Sequence, residues 1–126
     1  MADMSSFRVD IELENPARPG ERSAVSELLV DTGSELSWVP RAVLESLGIT
    51  PVKQLRFRQA TGMIVERWTG FGIVYAAGTA TIDQLVFAEP GDLKLLGVRT
   101  LEGLNVVIDP INHRLVDAGA MPAAAA

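Results

Sequence analysis

The sequence predicts an all-β protein, a compact barrel or sandwich of many short strands with little helix. Three observations support this class. Apolar and charged residues alternate along residues 7–14, which is the period of a half-exposed strand. Turn-forming residues recur about every 8–12 residues through most of the chain, a spacing typical of such folds. Only two segments, 41–47 and 98–103, are predicted as short helices.

The strands are predicted from apolar runs bounded by glycine, proline, asparagine or aspartate. The first is followed by a loop over 15–20, Asn-Pro-Ala-Arg-Pro-Gly. The predicted strands are 7–13, 25–30, 52–59, 63–75, 79–88, 93–96, 104–108 and 113–116.

Proline and glycine mark the first helix and one of the strands. Pro40 is expected in the first turn of a helix over 41–47, where its missing N–H does no harm, and Gly48 is expected to end that helix. Gly70 and Gly72 lie inside the strand predicted over 63–75. They indicate either a bulge or a close approach of another part of the chain.

Length and composition predict one domain over residues 1–120, followed by a disordered tail over 121–126. The chain has 126 residues, of which 48% are hydrophobic, and this suffices for a core. The tail, Met121-Pro-Ala-Ala-Ala-Ala, has low complexity and no core-facing pattern.

Charge and residue usage exclude several functional classes. The net charge of −5 argues against nucleic-acid binding and against binding to anionic membranes. The absence of cysteine excludes thiol nucleophiles and thiolate metal sites, and a single histidine excludes a histidine-rich metal centre in one chain. We expect no metal and no organic cofactor. No apolar run is long enough to span a membrane, and the polar start does not resemble a signal peptide, so we expect a cytoplasmic location.

The most informative motif is Asp31-Thr32-Gly33, which directly follows an apolar run. A carboxylate that enters an apolar environment needs a partner or a use. Thr32 supplies a hydroxyl, and Gly33 allows a sharp turn immediately after the acid. The motif is therefore expected to present a carboxylate for chemistry at the end of a strand. The alternative is an ordinary β-turn, in which aspartate and glycine are also common.

A second segment, Leu95-Leu96-Gly97, precedes the second predicted helix and a strand. Together, and in this order, the two segments resemble those of the retropepsin-like (retroviral-type) aspartic proteases, in particular their single-domain prokaryotic relatives. The resemblance covers roughly residues 6–117. It implies a small closed acid-protease-type β-barrel with a flap hairpin and one or two short helices.

The resemblance also assigns roles to individual residues. It implies that Asp31 is the catalytic acid, that Thr32 grips the loop of a partner chain, and that the N–H of Gly33 helps to fix the carboxylate. Leu95 would line a substrate pocket. Gly97 would allow the following helix to pack beneath the catalytic loop.

The sequence departs from the retroviral pattern at three positions. Ser34 and Glu35 stand where retroviral enzymes have Ala-Asp, and both are expected near the substrate. The Ser34 hydroxyl is expected to bond the adjacent carboxylate. Val98 takes the place of the usual arginine, and Arg99 follows one position later. Without that arginine, the sequence does not predict whether the intersubunit salt bridge of the retroviral enzymes forms. The alternative is an interface built from residues 7–13 and 113–117.

The predicted hairpin over 52–75 matches the flap of these enzymes in position. A flap closes over an extended peptide and offers backbone hydrogen bonds to it. The small residues Ala60, Thr61 and Gly62 at the tip permit this close approach, and we expect them to contact substrate. An ordinary surface hairpin is the alternative.

One Asp-Thr-Gly motif implies two chains. Hydrolysis by carboxylates requires one group that takes a proton and one that gives a proton, and two carboxyl groups about 3 Å apart share a single proton. No second motif is present, since the nearest, Asp117-Ala118-Gly119, lacks the hydroxyl. A two-fold symmetric homodimer would place Asp31 beside its own copy.

Some residues are better interpreted as structural. His113 is expected in a solvated strand position, without a catalytic role. Trp38 and Trp68 are expected in the core or as walls of substrate pockets.

Three hypotheses follow. The first is a homodimeric aspartic endopeptidase that hydrolyses a peptide or protein substrate with a water molecule activated by paired Asp31 carboxylates. The alternative is a catalytically weak or inactive protease-like module for dimerisation or peptide binding. The third is a small barrel of structural purpose, which would be monomeric.

Overall fold

The computed structural model describes residues 7–124, in which the chain forms nine strands and two short helices. The predicted all-β class is confirmed. The strands are β1 (Arg8–Glu14), β2 (Arg22–Val30), β3 (Ser37–Pro40), β4 (Lys53–Arg58), β5 (Ile64–Ala76), β6 (Thr79–Ala88), β7 (Leu95–Leu96), β8 (Val106–Asp109) and β9 (Arg114–Asp117). The helices are α1 (Arg41–Ser46) and α2 (Val98–Leu104).

Six of these strands close into a ring. The sheet order is β1-β2-β7-β3-β6-β5, and β1 pairs again with β5, through Glu12–Tyr75, Leu13–Val74 and Glu14–Ile73. Strand β4 extends the sheet beyond β5, while β8 and β9 form a separate two-stranded sheet. The closed barrel expected from the sequence is therefore confirmed, and the hairpin β4–β5 projects from it.

The short strand β7 lies between β2 and β3 and brings distant segments together. It runs parallel to β2, with Leu29 opposite Leu95 and Val30 opposite Leu96. On its other side it is antiparallel to β3, with Trp38 opposite Leu95. The loop that carries Asp31 connects β2 to β3 and therefore spans the end of β7.

The core divides into two apolar clusters. The larger one fills the ring and includes the fully buried Leu13, Leu28, Val74 and Leu96. The smaller one lies between β3 and the hairpin. It contains Leu36, Trp38, Val86 and Ala88, with Leu55, Phe57, Val65 and Leu95 packed against it.

A bulge bends β2 before it reaches Asp31. The pairing with β1 shifts between Val9 and Ile11, where Glu27 adopts a left-handed conformation with φ of 63°. The N–H of Glu27 donates to Asp10 Oδ1 (2.9 Å). This bond satisfies a backbone donor that the bulge removes from the pairing of β2 with β1.

The ends of the helices differ slightly from the prediction. Pro40 is the residue before α1 and the last residue of β3, since its φ and ψ of −56° and 133° are extended and not helical. Gly48 follows the end of α1 with a φ of 73° and its N–H donates to Glu45 O, as expected for a glycine that terminates a helix.

The predicted glycine contacts in β5 are close approaches and not bulges. The pairing of β5 with β6 is regular from Thr69 to Ala76. A Cβ atom on Gly70 would lie 2.9 Å from Thr50 O, and one on Gly72 would lie 3.0 Å from Ile49 Cδ1. Both glycines therefore allow the segment after α1 to pack against the strand.

Other parts of the sequence prediction are corrected at the level of single elements. Strand β3 was not predicted. The alternation along 7–14 predicts that Glu14 is exposed, and this is wrong. Glu14 is only 5% exposed, and its carboxylate accepts hydrogen bonds from the Tyr75 hydroxyl and from the N–H of Gly20. The last strand begins at Arg114, and His113 lies in the turn before it with a φ of 51°.

Two predictions concern the ends of the chain. Residues 121–124 have no secondary structure and are exposed, while 125–126 and the polar start at 1–6 lie outside the described residues. Among the described residues, no helix is long and apolar enough to cross a membrane.

Candidate active site

Asp31 follows directly after β2 in a tight loop, and its side chain is half-buried. Its N–H donates to Leu96 O (3.0 Å), which continues the parallel pairing of β2 with β7 by one residue. Its carbonyl accepts from the N–H of Ser34 (3.1 Å), which closes the turn. The backbone on both sides of the carboxylate is thus held by hydrogen bonds.

Gly33 orients the Asp31 carboxylate, as predicted. The N–H of Gly33 donates to Asp31 Oδ1 (2.8 Å). A Cβ atom on Gly33 would lie 3.1 Å from the same oxygen, which is tighter than ordinary contact. Thr32 is exposed beside it.

The loop also rests on the first turn of α2. The N–H of Val98 donates to Ser34 O (2.8 Å), and the N–H of Arg99 donates to Glu35 O (3.0 Å). A Cβ atom on Gly97 would lie 2.5 Å from Leu36 O and 2.7 Å from Ser34 O. Only glycine fits there, which confirms the prediction that Gly97 allows the helix to pack beneath the loop that carries Asp31.

The predicted hydrogen bond from Ser34 to the Asp31 carboxylate is wrong. The Ser34 hydroxyl donates to Leu36 O (2.7 Å) and so stabilises the loop. The side chain of the next residue, Glu35, lies 3.7 Å from the Arg99 guanidinium within the same chain. Arg99, one position after the expected arginine, can therefore still reach the acid that follows the motif.

A line of buried polar groups beneath the loop was not predicted from the sequence. The N–H of Gly97 donates to Ser37 Oγ (2.9 Å), which lies 2.5 Å from Thr100 Oγ1. Thr100 in turn donates to Asp83 Oδ2 (2.6 Å). Ser37 and Thr100 are fully buried, and Asp83 is 7% exposed. These residues come from β3, α2 and β6, which no local sequence pattern connects.

The predicted hairpin is present, with its tip at residues 59–63. Ala60, Thr61 and Gly62 are exposed, and Gly62 has a φ of 88°. Its N–H donates to Gln59 O (2.8 Å), which forms the turn. The tip is thus small and accessible, as a backbone contact with an extended peptide requires.

The inner face of the hairpin packs on β3. Phe57 meets Trp38 edge to face, with ring centroids 5.0 Å apart. Leu95, which the resemblance placed in a substrate pocket, is half-buried in the same cluster and pairs with Trp38. Because Leu36, at the end of the loop that carries Asp31, belongs to this cluster, the apolar cluster borders that loop.

The hairpin is also fixed at its base by an ion pair. Arg67 on β5 makes two hydrogen bonds to Asp92 in the turn between β6 and β7, and Asp92 also accepts the N–H of Glu89 (2.8 Å). The guanidinium carbon of Arg67 lies 6.0 Å from the centroid of the Trp38 ring. At this distance the charged group is attracted by the face of the ring, so it can lie beside the apolar cluster.

The N-terminal and C-terminal segments suggested as an interface with a partner chain differ in how much apolar surface they expose. Ile11 and Leu13 are buried in the ring, so their side chains are not available to a second chain. The C-terminal hairpin β8–β9 exposes more apolar surface. Val107 at its centre is 49% exposed, and Ile111 at its turn is 87% exposed.

The single histidine and the two tryptophans differ in their exposure. His113 is exposed and its ring lies 6.0 Å from that of Phe7. Trp38 is in the core, as predicted, whereas Trp68 is 40% exposed on the hairpin. Within residues 7–124, no group of three or more histidine, aspartate and glutamate side chains is arranged to hold a metal ion.

Comparisons with known proteins bear on the fold. No family model and no curated protein matches the sequence. The structure is similar to the solution structure of the Simian Foamy Virus (mac) protease, with a TM-score of 0.51 and 17% sequence identity. The match covers 75% of this chain and 91% of that chain. The fold is therefore retropepsin-like, as the sequence predicted.

Proposed function

We propose that the chain is one half of a homodimeric aspartic endopeptidase. The observation that supports this most directly is the geometry of Asp31: a half-buried carboxylate, held by the N–H of Gly33, in the loop that directly follows a barrel strand. The retropepsin-like fold supports the same assignment, and the resemblance of the motifs to the retropepsin-like proteases implies that such a loop meets its copy.

The chemistry requires a second copy of Asp31. The sequence contains one Asp-Thr-Gly motif, and one carboxylate cannot take and give a proton at the same time. In a two-fold dimer the two Asp31 side chains lie close together and share one proton. The exposed Thr32 is then free to bond the loop of the partner.

The reaction proceeds through a tetrahedral diol. One Asp31 carboxylate takes a proton from water as the water oxygen attacks the peptide carbonyl carbon, and the protonated Asp31 of the other chain gives its proton to the carbonyl oxygen. The diol then loses a proton to one carboxylate while the other protonates the amide nitrogen. The C–N bond breaks, and the pair again holds one proton.

The hairpin β4–β5 serves as the flap in this proposal. An extended peptide lies between Asp31 and the tip at Ala60–Gly62, where backbone groups bond its main chain. Leu95 and the adjacent apolar cluster contact its side chains. The substrate is therefore a peptide or an unfolded segment of a protein.

The C-terminal hairpin is the surface we assign to the partner chain. A two-stranded sheet is marginally stable by itself, and β8–β9 pairs with no other strand of the described chain. Its exposed Val107 and Ile111 offer apolar surface that a second copy would bury.

One observation favours the second candidate function, a peptide-binding module with negligible catalysis. Ser34 and Glu35 stand beside Asp31 where the retroviral enzymes have Ala-Asp, so the surroundings of the carboxylate are altered while the exposed hairpin tip is kept. In that case an extended peptide binds, and Asp31→Asn leaves the affinity unchanged.

The deciding experiment is a digest of a diverse peptide library by wild type and Asp31→Asn in parallel. We expect cleavage by wild type, inhibition by statine-type mimics of the diol, and no cleavage by a variant that remains dimeric. Equal turnover by the two proteins contradicts the enzymatic proposal. Binding without cleavage by either protein supports the second candidate, and a monomeric mass at micromolar concentration supports the purely structural barrel.

A further inference from the structure

We propose that Asp83 is a positioning residue for Asp31, acting through the buried hydroxyls of Thr100 and Ser37. This inference rests on the proposed peptidase function. Asp83 lies on β6, on the side of the barrel wall that α2 covers, and it touches neither the loop nor the hairpin tip by any hydrogen bond in residues 7–124. Its effect on the site passes through the line of polar groups beneath the loop.

The hydrogen bonds in this line run in one direction. Asp83 as a carboxylate only accepts: Oδ2 from Thr100 (2.6 Å) and Oδ1 from the N–H of Gln84 (2.8 Å). The single hydroxyl hydrogen of Thr100 is therefore committed to Asp83, so Thr100 must accept from Ser37. Ser37, whose hydrogen is now used, accepts the N–H of Gly97.

Because the line is buried, the direction of its hydrogen bonds is fixed. Ser37 and Thr100 are fully buried and Asp83 nearly so, and none of the buried side-chain polar atoms in the described chain lacks a partner. A hydroxyl that lost its partner here could not turn to water. Removal of one member therefore leaves its neighbours unsatisfied, and the backbone must shift to compensate.

The last group in the line is the amide that sets the position of the catalytic loop. Gly97 lies between Leu96, whose carbonyl accepts the N–H of Asp31 (3.0 Å), and Val98, whose N–H donates to Ser34 O (2.8 Å). Both hydrogen bonds that hold the loop in place are thus made by the residues on either side of Gly97. The close contact of Gly97 with Leu36 O leaves no slack, so a displacement of Gly97 moves the loop.

A displacement of this kind affects catalysis more than binding. Two carboxylates that share one proton tolerate little change in their separation, and misplacement by about 1 Å can lower a rate about a hundredfold. Peptide affinity depends mainly on the hairpin and on the side chains of the apolar cluster, to which the side chains of Ser37, Thr100 and Asp83 make no hydrogen bond. The expected signature is a lower kcat with an unchanged KM.

The test compares Thr100→Val with Thr100→Ser and with the matched control Thr79→Val. Valine keeps the shape of threonine and removes the hydroxyl, serine keeps the hydroxyl, and Thr79 is exposed on the same strand as Asp83. We expect Thr100→Val to lower kcat on a cleaved library peptide about tenfold to a hundredfold with KM within about twofold. Thr100→Ser and Thr79→Val should retain the wild-type kcat.

A second measurement is independent of activity. Amide hydrogen exchange of Gly97 and Val98, followed by NMR, should become faster in Thr100→Val and stay unchanged in Thr79→Val. If Thr100→Val does not fold, Asp83→Asn replaces it, because a carboxamide of the same shape offers one acceptor fewer. The kinetics are measured at a temperature at which each variant is fully folded, so that lost stability is not taken for lost rate.

The outcomes separate this inference from the proposed function. A wild-type protein that cleaves no peptide contradicts the proposed function, and the exchange measurement then still decides whether Asp83 and Thr100 hold Gly97. An active wild type with equal kcat and equal Gly97 exchange in Thr100→Val, or in Asp83→Asn, overturns the inference.

Discussion

Arg67 and Asp92 join the hairpin to the barrel through two parallel hydrogen bonds, Nε to Oδ2 at 2.7 Å and Nη2 to Oδ1 at 2.9 Å. The two side chains are 18% and 10% exposed, so the pair is largely shielded from water. Such paired, charge-assisted bonds fix geometry as well as adding stability. This arm of the hairpin is therefore held in place at Arg67, while the tip at residues 59–63 is exposed.

The first prediction concerns this ion pair. Arg67→Met should lower the free energy of unfolding by about 1–3 kcal/mol, because Asp92 loses both bonds and remains shielded. It should also raise KM for a cleaved peptide, since the hairpin is less well placed. Urea denaturation and steady-state kinetics measure the two effects. Arg67→Lys, which keeps the charge but not the paired geometry, should show an intermediate loss; a hairpin unaffected by Arg67→Met contradicts the anchoring role.

The second prediction is a pH dependence of stability. The bonds from Arg67 hold the pKa of Asp92 below its ordinary value, and the N–H of Glu89 acts in the same direction. A lowered pKa in the folded state means that the stabilisation is present above the unfolded pKa of about 4 and is lost as the pH falls through the folded pKa. Asp92→Asn should therefore lose more stability at pH 7 than at pH 2, measured by thermal unfolding. An equal loss at both pH values contradicts this account.

The third prediction concerns Glu14 and Tyr75. The Tyr75 hydroxyl, followed by the N–H of Gly20, holds the pKa of Glu14 below its ordinary value, and the same bond raises the pKa of Tyr75. Tyr75→Phe should therefore raise the pKa of Glu14, which an NMR titration of its carboxyl carbon would show. In wild type, the ultraviolet titration of the tyrosine should occur above the ordinary value near 10. A Glu14 titration that is the same in both proteins contradicts the bond.

The fourth prediction concerns the bulge in β2. Glu27 has a φ of 63°, a conformation that costs a residue with a side chain about 1–2 kcal/mol and glycine very little. Glu27→Gly should therefore raise the free energy of unfolding by up to about 1 kcal/mol, after allowance for the greater freedom of glycine in the unfolded chain. Glu21→Gly, in the preceding loop, should lower it or leave it unchanged. Loss of stability in Glu27→Gly means that the bulge is not strained.

The fifth prediction tests the surface assigned to the partner chain. Val107→Lys places a charge in the exposed centre of β8 and should convert a dimer to a monomer while the fold is kept. Ile82→Lys is the matched control, because Ile82 is 65% exposed in the middle of β6 on the barrel. Sedimentation equilibrium and circular dichroism provide the two readouts. A dimer that persists in Val107→Lys and dissociates in Ile82→Lys would move the interface to the barrel wall.

The sequence predicted most of the fold because its strands carry their own signal. Alternation identified the core-facing Ile11 and Leu13, and the glycine at position 48 ended the helix as expected. Strand β3 escaped prediction because its four residues are all largely shielded and show no alternation. Glu14 points outward with the charged residues of β1, but the following loop covers it.

The candidate site was predictable where one segment carries it and not where several do. Asp31, Gly33 and Gly97 were identified from two short motifs. Thr100 and Asp83 were not, since their contacts join residues 17 to 63 positions apart and depend on the packing of α2 against β6. The error at Ser34 has the same origin, because its nearest acceptor is a carbonyl that only the folded loop provides.

Strand β5 belongs to two structures at once. From Thr69 onward it is part of the ring, and before Thr69 it is an arm of the hairpin, with no loop between the two. The arm and the wall therefore share one continuous backbone. Movement at the tip must be absorbed by elastic bending along a thirteen-residue strand, and part of any load on the arm is transmitted to the seam at which β5 meets β1.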